Sequence, residues 1–353
     1  MTNRSDRRTP VPVGTPTARR RAASASYLGA AITVVFGLSA ALLIDSLPLS
    51  VQYLPLALSV VLFGLPHGAV DHLVLPRARG DPVTPRAVAF VGSLYLVVGG
   101  AYALVWMFAP ALAFALFIAV TLTHWGQGDV YALIAFTDAT HLETRLSRVL
   151  TLVVRGGLPM LVPLVAFPDQ YAFVAETLVG LFDPAAAAAL EPAFSPEVRV
   201  QVAVGLGSFI FLSLTLGFFQ SMPGNRTSWF VDVVETLSLV VYFAVVPPIL
   251  AIGLYFCFWH SFRHVLRTML VDPVTRNAVE RRVIRSAVKR FVRDALPLTI
   301  GGVIVLGGIA LLVGQTPASV HVAIGLYLIT IAVLTLPHVI IVTLLDLEER
   351  IWE

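Results

Sequence analysis

Charged residues and cysteines are scarce in this sequence of 353 residues. Asp, Glu, Lys and Arg make up 13% of it. A soluble domain carries about 25% of these residues, so this chain cannot cover a surface that faces water on every side. The single cysteine, Cys257, excludes a disulfide within the chain and a metal site built from several thiolates. The formal net charge of +3 is small and does not indicate a nucleic-acid partner.

Apolar residues, in contrast, form 57% of the sequence, and the mean hydropathy is +0.85. They occur in blocks of about 20 residues, the length that an α-helix needs to cross about 30 Å of hydrocarbon. The pattern predicts an all-α fold, a polytopic transmembrane helical bundle of about ten spans in the lipid bilayer. The expected spans are Ser24–Leu47, Leu49–Pro76, Ala87–Phe108, Ala111–Phe136, Val149–Phe167, Val198–Phe219, Trp229–Val246, Pro248–Leu270, Leu296–Gly314 and Ser319–Leu345.

The distribution of arginines predicts how these spans are oriented, because cytoplasmic loops are enriched in Lys and Arg. Basic residues occur in alternate loops, most densely in Asp272–Asp294, whereas the longest loop of the opposite set, near Pro168–Glu197, is acidic. We therefore expect a multi-pass protein of the cell membrane with a cytoplasmic N-terminus and a cytoplasmic C-terminus. Asp272–Asp294 is expected to be either an amphipathic helix on the cytoplasmic membrane surface or a solvated basic loop.

The first 23 residues, rich in Arg, Pro, Thr and Ser, are predicted to form a disordered, basic, cytoplasmic arm. The apolar run that follows is long, and no convincing cleavage site of small residues closes it. It is therefore interpreted as a first span and not as a signal peptide. Residues 24–353 are then expected to form one transmembrane helical domain that carries catalysis.

Ionisable residues inside the predicted spans point to function, because a central Asp, Arg or Lys costs about 2.5–3.5 kcal/mol there. Counting from the arginine-rich ends places the histidines and several carboxylates in the cytoplasmic half of their spans. Polar groups at one depth on different helices can converge on one site. The residues at this depth are His67 and Asp71 in the second span, His124 and Asp129 in the fourth, Glu235 in the seventh, His260 and His264 in the eighth, and His338 in the tenth. His72 and Asp232 are further ionisable residues of the second and seventh spans.

The histidine spacing indicates a metal site. His260 and His264 are four residues apart and share one face of a helix, which suits two ligands of one metal. His67 and His124 can supply two more imidazoles at the same depth. Neutral imidazole binds zinc, copper, nickel and iron. A histidine shell without thiolates argues against structural zinc, so Fe²⁺ with an open position for O₂ becomes a candidate.

Carboxylates beside a metal site can orient the imidazoles by accepting their second ring N–H. Asp71, Asp129 and Glu235 are at a suitable depth for this role. His72 and His338 are expected to be further ligands, orienting groups or proton carriers. The alternative is that these two histidines only form hydrogen bonds between helices.

Three further ionisable residues are given structural roles. His141 lies in a loop and His321 near the outer end of its span, so both are expected at the membrane interface. Arg263 is expected to snorkel, with its guanidinium at the cytoplasmic headgroups.

Aromatic residues flank the candidate ligands, either as plain packing or as the lining of a slot for a long conjugated apolar substrate. Phe256 precedes His260 by four residues and shares its helix face, so it is the better candidate for the wall of such a slot. Phe258 is expected to face lipid. The predicted substrate-binding residues are Trp125, Phe256, Trp259 and Phe262.

These motifs resemble the Brp/Blh family of membrane β-carotene 15,15′-dioxygenases. The resemblance covers most of the chain from the second span onward. It rests on Pro66-His67-Gly68-Ala69-Val70-Asp71-His72, on His124-Trp125-Gly126 with Asp129, on Trp259-His260-Ser261-Phe262-Arg263-His264 and on Pro337-His338.

The resemblance implies one Fe²⁺ held by histidines, which in this sequence would be His67, His124, His260 and His264. It also implies an oxidoreductase that cleaves the central double bond of β-carotene with O₂ into two molecules of retinal. A retinal-binding opsin is then a candidate partner. The rigid substrate is expected to enter sideways between helices and to lie bent or oblique in an aromatic-lined tunnel.

Functions of other classes remain open on the residues alone. A di-iron lipid desaturase or hydroxylase also uses membrane histidines, but it normally needs more histidine clusters than this chain has. A haem or quinone redox protein is a second alternative. A third is a non-enzymatic assembly factor for a retinal protein, which would need neither O₂ nor iron.

Overall fold

Prolines and hydroxyl side chains set where many of the helices begin. In the computed structural model, which describes residues 14–44, 46–221, 224–314 and 319–353, Thr15, Thr84 and Ser195 each cap a helix with proline at its first position. The capping oxygen accepts a backbone N–H of the first turn, and proline has no N–H to leave unpaired there. All regular structure in the described residues is helical, which confirms the predicted all-α fold.

Ten helices in the described part of the chain are long and apolar enough to cross a membrane, which confirms the expected number of spans. In chain order they are called the first to the tenth span. Their bounds are Pro16–Leu43, Leu49–Arg79, Pro85–Phe108, Pro110–Thr137, Arg145–Ala166, Pro196–Gln220, Thr227–Val245, Pro248–Val271, Ile284–Val313 and Val320–Glu348.

The first span begins earlier than expected, at Pro16 instead of Ser24. Ala18 and Ala22 are buried in a cluster with apolar residues of the eighth span. This packing explains why residues 16–23, predicted to belong to a disordered arm, are helical. The prediction for residues 1–13 lies outside the described residues.

Three spans contain interruptions of the regular α-helix. The second span consists of the short helices Leu49–Gln52, Leu54–Ser59, Gly64–Gly68 and Asp71–Arg79. The third and eighth spans each contain a π-helical segment, Tyr95–Gly99 and Tyr255–Ser261 respectively. A π-helical turn holds an extra residue and so changes the direction of the side chains that follow, which is why such turns are frequent at functional sites.

Two segments between spans differ from the prediction. Residues 168–194 are not a loop but contain the helices Pro168–Gly180 and Pro184–Ala188 and a 3₁₀ turn. Asp272–Asp294, predicted to be either one amphipathic helix or a solvated basic loop, consists of two helices. The first helix is Pro273–Glu280, and after it the chain turns at Arg282, which has a φ of 61°. The second helix continues without a break as the ninth span.

Ion pairs explain the shape of this basic segment. Asp272 accepts from the backbone N–H of Thr275 and from Arg290 Nε at 2.5 Å, and Asp294 accepts from Arg77 at 2.6 Å. Burial acts to raise the pKa of Asp272, but the hydrogen bond from Arg290 and the charge of Arg77 outweigh it and hold the pKa below its usual range. These arginines therefore join the second and ninth spans to the end of the eighth instead of facing lipid headgroups.

The eighth span lies at the centre of the bundle. In its most apolar stretch 83% of the residues are buried, compared with 11% in the sixth and ninth spans. Exposed apolar side chains on those two outer spans, such as Phe219 and Leu311, suit contact with lipid tails. The fourth and fifth spans approach each other closely at Gly126 and Gly156, where a Cβ atom would collide with the carbonyl oxygens of the facing helix.

Candidate metal centre and adjoining chambers

Three histidines from different spans meet in the interior. His67, His124 and His260 are buried, and one ring nitrogen of each lies within 4.8 Å of the others. The Nε2 atoms of His124 and His260 are 3.0 Å apart. Three converging imidazole nitrogens that are shielded from water form an arrangement that can hold a metal ion.

Two more histidines adjoin these three. The ring centroid of His264 lies 4.7 Å from that of His260, and the ring centroid of His338 lies 4.7 Å from that of His124. The Nε2 atoms of both residues are buried and have no hydrogen-bond partner among the described residues. The structure thus brings together all four predicted ligands and adds His338 from the tenth span.

Glycines make room for this crowding of rings. A Cβ atom at Gly128 would lie 2.8 Å from His264 Nε2, and a Cβ atom at Gly68 would lie 3.3 Å from His338 Nδ1. Real Cβ atoms essentially never come as close as the first of these distances. Steric crowding therefore explains why glycine occurs in the motifs around His67 and His124.

The ring of His67 is oriented by its own helix. Its Nδ1 faces the carbonyl oxygens of Gly64 and Phe63, the latter at 3.2 Å. Because a carbonyl oxygen only accepts, Nδ1 carries the proton, and Nε2 keeps a free lone pair for the cluster.

Asp71 orients His338. Its Oδ2 atom lies 2.8 Å from His338 Nδ1 and accepts the Tyr95 hydroxyl at 2.6 Å. This is the role predicted for Asp71, although the ring that it contacts belongs to His338 and not to one of the four predicted ligands. His72, the last residue of the motif, is partly buried, and its Nδ1 has no partner in the described part of the chain.

Asp129 and Glu235 do not contact the imidazoles, contrary to the prediction. Asp129 accepts from Arg263 at 2.9 Å and from the indole N–H of Trp259 at 3.0 Å. Glu235 accepts from Arg263 at 2.7 Å and from Arg155 at 3.1 Å. The two carboxylates are close to buried guanidinium groups, and a charge inside the protein pairs first with an opposite charge.

Arg263 is therefore not a snorkelling residue, and His141, which lies between the fourth and fifth spans, is buried inside the protein. Arg263 is buried between the carboxylates and also donates to Ser26 of the first span at 3.0 Å. His141 is buried as well, and its two ring nitrogens lie 3.3 Å from Ser228 Oγ and 3.1 Å from Asp232. Asp232 in turn accepts from Arg155 at 2.8 Å.

These residues form one buried charged cluster beside the histidines, defined as Asp129, His141, Arg155, Asp232, Glu235 and Arg263. Arg155 was missed in the sequence, although it lies inside the predicted fifth span. An arginine within a span was the available signal, because such a residue requires a buried partner. The other histidine assigned to the interface, His321, is exposed at the beginning of the tenth span.

Two apolar chambers adjoin the histidines. One, of about 120 Å³, is lined by aromatic residues and is called the aromatic chamber; they include Phe114, Phe117, Trp125, Tyr171 and Phe173. The other, of about 580 Å³, is called the glycine-lined chamber; its glycines are Gly64, Gly68, Gly92, Gly99, Gly100, Gly301, Gly302 and Gly308. The two chambers share His67, Phe256, Ile331 and Thr335. Of the clustered histidines, His67 lines both chambers, His124 lines the aromatic chamber and His338 lines the glycine-lined chamber.

The structure divides the predicted substrate-binding aromatics into two groups. Trp125 and Phe256 line the aromatic chamber, and Phe256 also lines the other. Trp259 and Phe262 are not among the lining residues described for either chamber. Trp259 stacks under the Arg263 guanidinium at 4.3 Å, and the ring of Phe262 lies 5.5 Å from that of Phe63.

Phe258 is on a different face from Phe256 but does not simply face lipid. It is partly buried, and its carbonyl group lies against Gly29 of the first span. Its ring forms an edge contact with Phe63 at 6.4 Å. The first span covers this side of the eighth, which the isolated helix pattern does not reveal.

Comparison with known proteins places the chain among carotenoid-cleaving enzymes. Residues 58–346 match the family model described as beta-carotene 15,15'-dioxygenase. The chain is 43% identical over 302 residues to the probable beta-carotene 15,15'-dioxygenase Blh of Halobacterium salinarum, covering 85% of this chain and 86% of the relative. It is 30% identical over 340 residues to the probable dioxygenase Brp of the same species, covering 92% and 90% respectively.

A more distant relative is a beta-carotene 15,15'-dioxygenase of an uncultured marine bacterium, which is 22% identical over 289 residues, covering 81% of this chain and 91% of the relative. No solved structure matches the chain.

Proposed function

Because the chain belongs to the β-carotene 15,15′-dioxygenase family, we propose that it cleaves the central double bond of β-carotene with O₂ into two molecules of retinal. One observation carries this proposal: His67 of the histidine cluster lines both apolar chambers, with His124 in the wall of one and His338 in the wall of the other. A long hydrocarbon that extends into both chambers presents its middle, and not its ends, to the cluster. The substrate offers no hydrogen bonds, so chamber shape and apolar contact must select the bond.

We propose Fe²⁺ as the cofactor, held by His67, His124, His260 and His264. The donor set fits this ion, because it consists of neutral imidazoles with no thiolate, and because the Nε2 atom of His264 is buried without a partner in the described chain. Bound Fe²⁺ would supply a reduced metal with free coordination positions for O₂ chemistry.

The protein residues act by position and by excluding water. Phe256, shared by the two chambers and stacked near His260 with ring centroids 6.3 Å apart, provides an apolar wall beside the metal ligands. Ile331 on the tenth span lines both chambers as well. Cleavage places one oxygen atom of O₂ in each aldehyde, so the overall reaction releases no proton and consumes no external reductant. A nucleophile or a general base is therefore not required.

The substrate and products dissolve in the bilayer, and a multi-pass protein can exchange them sideways. We propose the cell membrane as the location, with the N- and C-termini in the cytoplasm, and entry of β-carotene through the glycine-lined chamber. At Gly92, Gly100, Gly301 and Gly308 a Cβ atom would have no neighbour within 4 Å, so small residues keep this wall open. A retinal-binding opsin is the proposed recipient of the product.

Co-expression in cells that make β-carotene tests the function. We expect loss of the orange colour and accumulation of retinal as the only cleavage product, measured by chromatography. The His260→Ala variant, expressed at the same level, serves as the control and should leave β-carotene intact. Unchanged carotene with modified lipids would instead indicate a desaturase or hydroxylase. Unchanged carotene with improved yield of a co-expressed opsin would indicate an assembly factor, and absorption bands of haem or quinone would indicate a redox protein.

A further inference from the structure

The tenth span brings a fifth imidazole to the cluster. His338 is buried, and its ring centroid lies 5.0 Å from that of His67 and 4.7 Å from that of His124. These separations are similar to the 4.8 Å between the rings of His124 and His264. By position His338 therefore belongs to the same group of rings as the other four histidines.

The partners of its two ring nitrogens are unequal. Nδ1 lies 2.8 Å from Asp71 Oδ2, which also accepts the Tyr95 hydroxyl at 2.6 Å. A carboxylate oxygen accepts, so the proton of the neutral ring is on Nδ1, and Nε2 carries a lone pair. Nε2 is buried and has no partner among the described residues. Buried polar atoms are rarely left unpaired, and a carboxylate on the other nitrogen is the usual arrangement of a histidine that binds metal.

His141 shows what a buried structural histidine looks like in the same protein. Its Nδ1 is 3.3 Å from Ser228 Oγ, and its Nε2 is 3.1 Å from Asp232. Both nitrogens have protein partners, so His141 needs no metal. His338 differs from it at Nε2, on the opposite side of the ring from Asp71.

We propose that His338 is a fifth histidine ligand of the metal centre, bound through Nε2, and that Asp71 is a positioning residue that fixes its ring with the help of Tyr95. The proposal rests on the metal centre of the proposed function. It has a chemical consequence, because an octahedral ion with five imidazole ligands has one free position, whereas four imidazoles leave two. Access of O₂ would then be confined to one direction.

Cobalt(II) is a suitable probe, because its visible absorption bands report the number and geometry of the ligands. The purified protein in detergent, stripped of metal, is titrated with Co²⁺. The matched control is His321→Ala, which removes an exposed imidazole from the other end of the same span. We expect His338→Ala to bind Co²⁺ more weakly by at least the roughly 10–100-fold that loss of an orienting partner costs, with an altered absorption spectrum that added imidazole restores. Asp71→Asn should weaken binding with little change in the spectrum, and His321→Ala should change neither.

An unchanged Co²⁺ affinity and spectrum in His338→Ala would overturn the proposal while leaving the four-histidine centre intact. A wild-type protein that binds no metal at all would overturn the metal centre as well. If His338→Ala does not fold, the wild type decides the question by itself. Each bound imidazole contributes one exchangeable, hyperfine-shifted N–H signal to the proton NMR spectrum of the Co²⁺ protein. Five such signals support the proposal, and four contradict it.

Discussion

The rings of the histidine cluster are not all oriented in the same way. His67 is held by carbonyl groups of its own short helix, and His338 by a carboxylate. The Nδ1 atoms of His124 and His260 have no partner in the described residues, so the backbone and the tight packing of neighbouring rings set their direction. Loss of one ring thus removes a donor and also some of the packing that positions the others.

The four predicted ligands give the most direct test at this scale. We expect His67→Ala, His124→Ala, His260→Ala and His264→Ala each to lose most of the bound iron, because each change removes one imidazole donor from the buried centre. Metal analysis by mass spectrometry of the purified proteins measures the effect, with His321→Ala as the variant that keeps iron. Full iron content in any two of the four variants would contradict the assignment.

Phe256 and Phe258 form a matched pair for the substrate wall. Phe256 lines both chambers, whereas Phe258 packs towards the first span. We expect Phe256→Ala to keep iron but to release apocarotenoids cleaved away from the centre, because the widened junction lets the chain slide. Phe258→Ala should keep central cleavage. Chromatography of the products decides, and the reverse result would show that the two faces are wrongly assigned.

At the scale of the element, the π-helical segment Tyr255–Ser261 and the facing fourth span bring His260 and His124 together. His260 lies in the π-helical segment and His264 in the α-helical turn that follows. Gly128 of the fourth span allows both rings to approach, since a Cβ atom there would lie 2.8 Å from His264 Nε2 and 3.5 Å from His260.

Gly128→Ala should therefore displace His264 and lower iron affinity, by about 10-fold or more, as losses of support around a metal do. Gly205→Ala is the control, because a Cβ atom at that position in the sixth span has no neighbour within 4 Å. Titration with Fe²⁺ under nitrogen measures both affinities. Equal affinities in the two variants would show that the helices can move apart at no cost.

The buried charged cluster ties the fourth, fifth, seventh and eighth spans together. Removing one carboxylate leaves guanidinium charge without its partner in the interior, and such losses typically cost about 3–5 kcal/mol. We expect Glu235→Gln to lower clearly the midpoint temperature of thermal unfolding in detergent. The loss of the helical circular-dichroism signal on heating measures this temperature. The exposed Glu197→Gln should have no effect. A Glu235→Gln protein as stable as the wild type would mean that Asp129 and Asp232 are sufficient for both arginines.

At the scale of the whole molecule, the beginning of the first span and the last residues of the chain lie together with the arginine-rich segments. Arg79 pairs with Glu348 at 2.5 Å, and Arg148 donates to the carbonyl of Ile351 at 2.9 Å. Arg21 of the first span donates to the carbonyl of Val279 at 2.8 Å. This gathering of basic residues at one end agrees with an even number of spans and with a cytoplasmic end rich in arginine.

Reporter fusions test this topology. A reporter after Glu353 and one inserted between Arg281 and Val283 should both be cytoplasmic, and one inserted between Asp183 and Pro184 should be external. The measurement is the activity of a reporter pair that works on opposite sides of the membrane. An external C-terminus would mean that the number of spans is odd, and would invert the proposed side of the site.

The spans, their number and the concentration of histidines inside them follow from the sequence by itself. Hydropathy is a property of neighbouring residues, and a polar residue in an apolar block is conspicuous without knowledge of its contacts. The pair His260 and His264 is equally local, because helix geometry places residues four apart on one face. The early start of the first span could not be predicted from the sequence as easily, since the alanines at its beginning are buried only by packing against the eighth span.

The tertiary structure decided which polar groups meet. Asp71 and His338 are 267 positions apart, and their contact depends on how the second and tenth spans pack. Asp129 and Glu235 were expected to hold imidazoles, but Arg155 and Arg263 come close enough to pair with them. The two chambers also exist only between helices. Depth along each span is a local quantity, whereas the direction in which a side chain points across the bundle depends on every neighbouring helix.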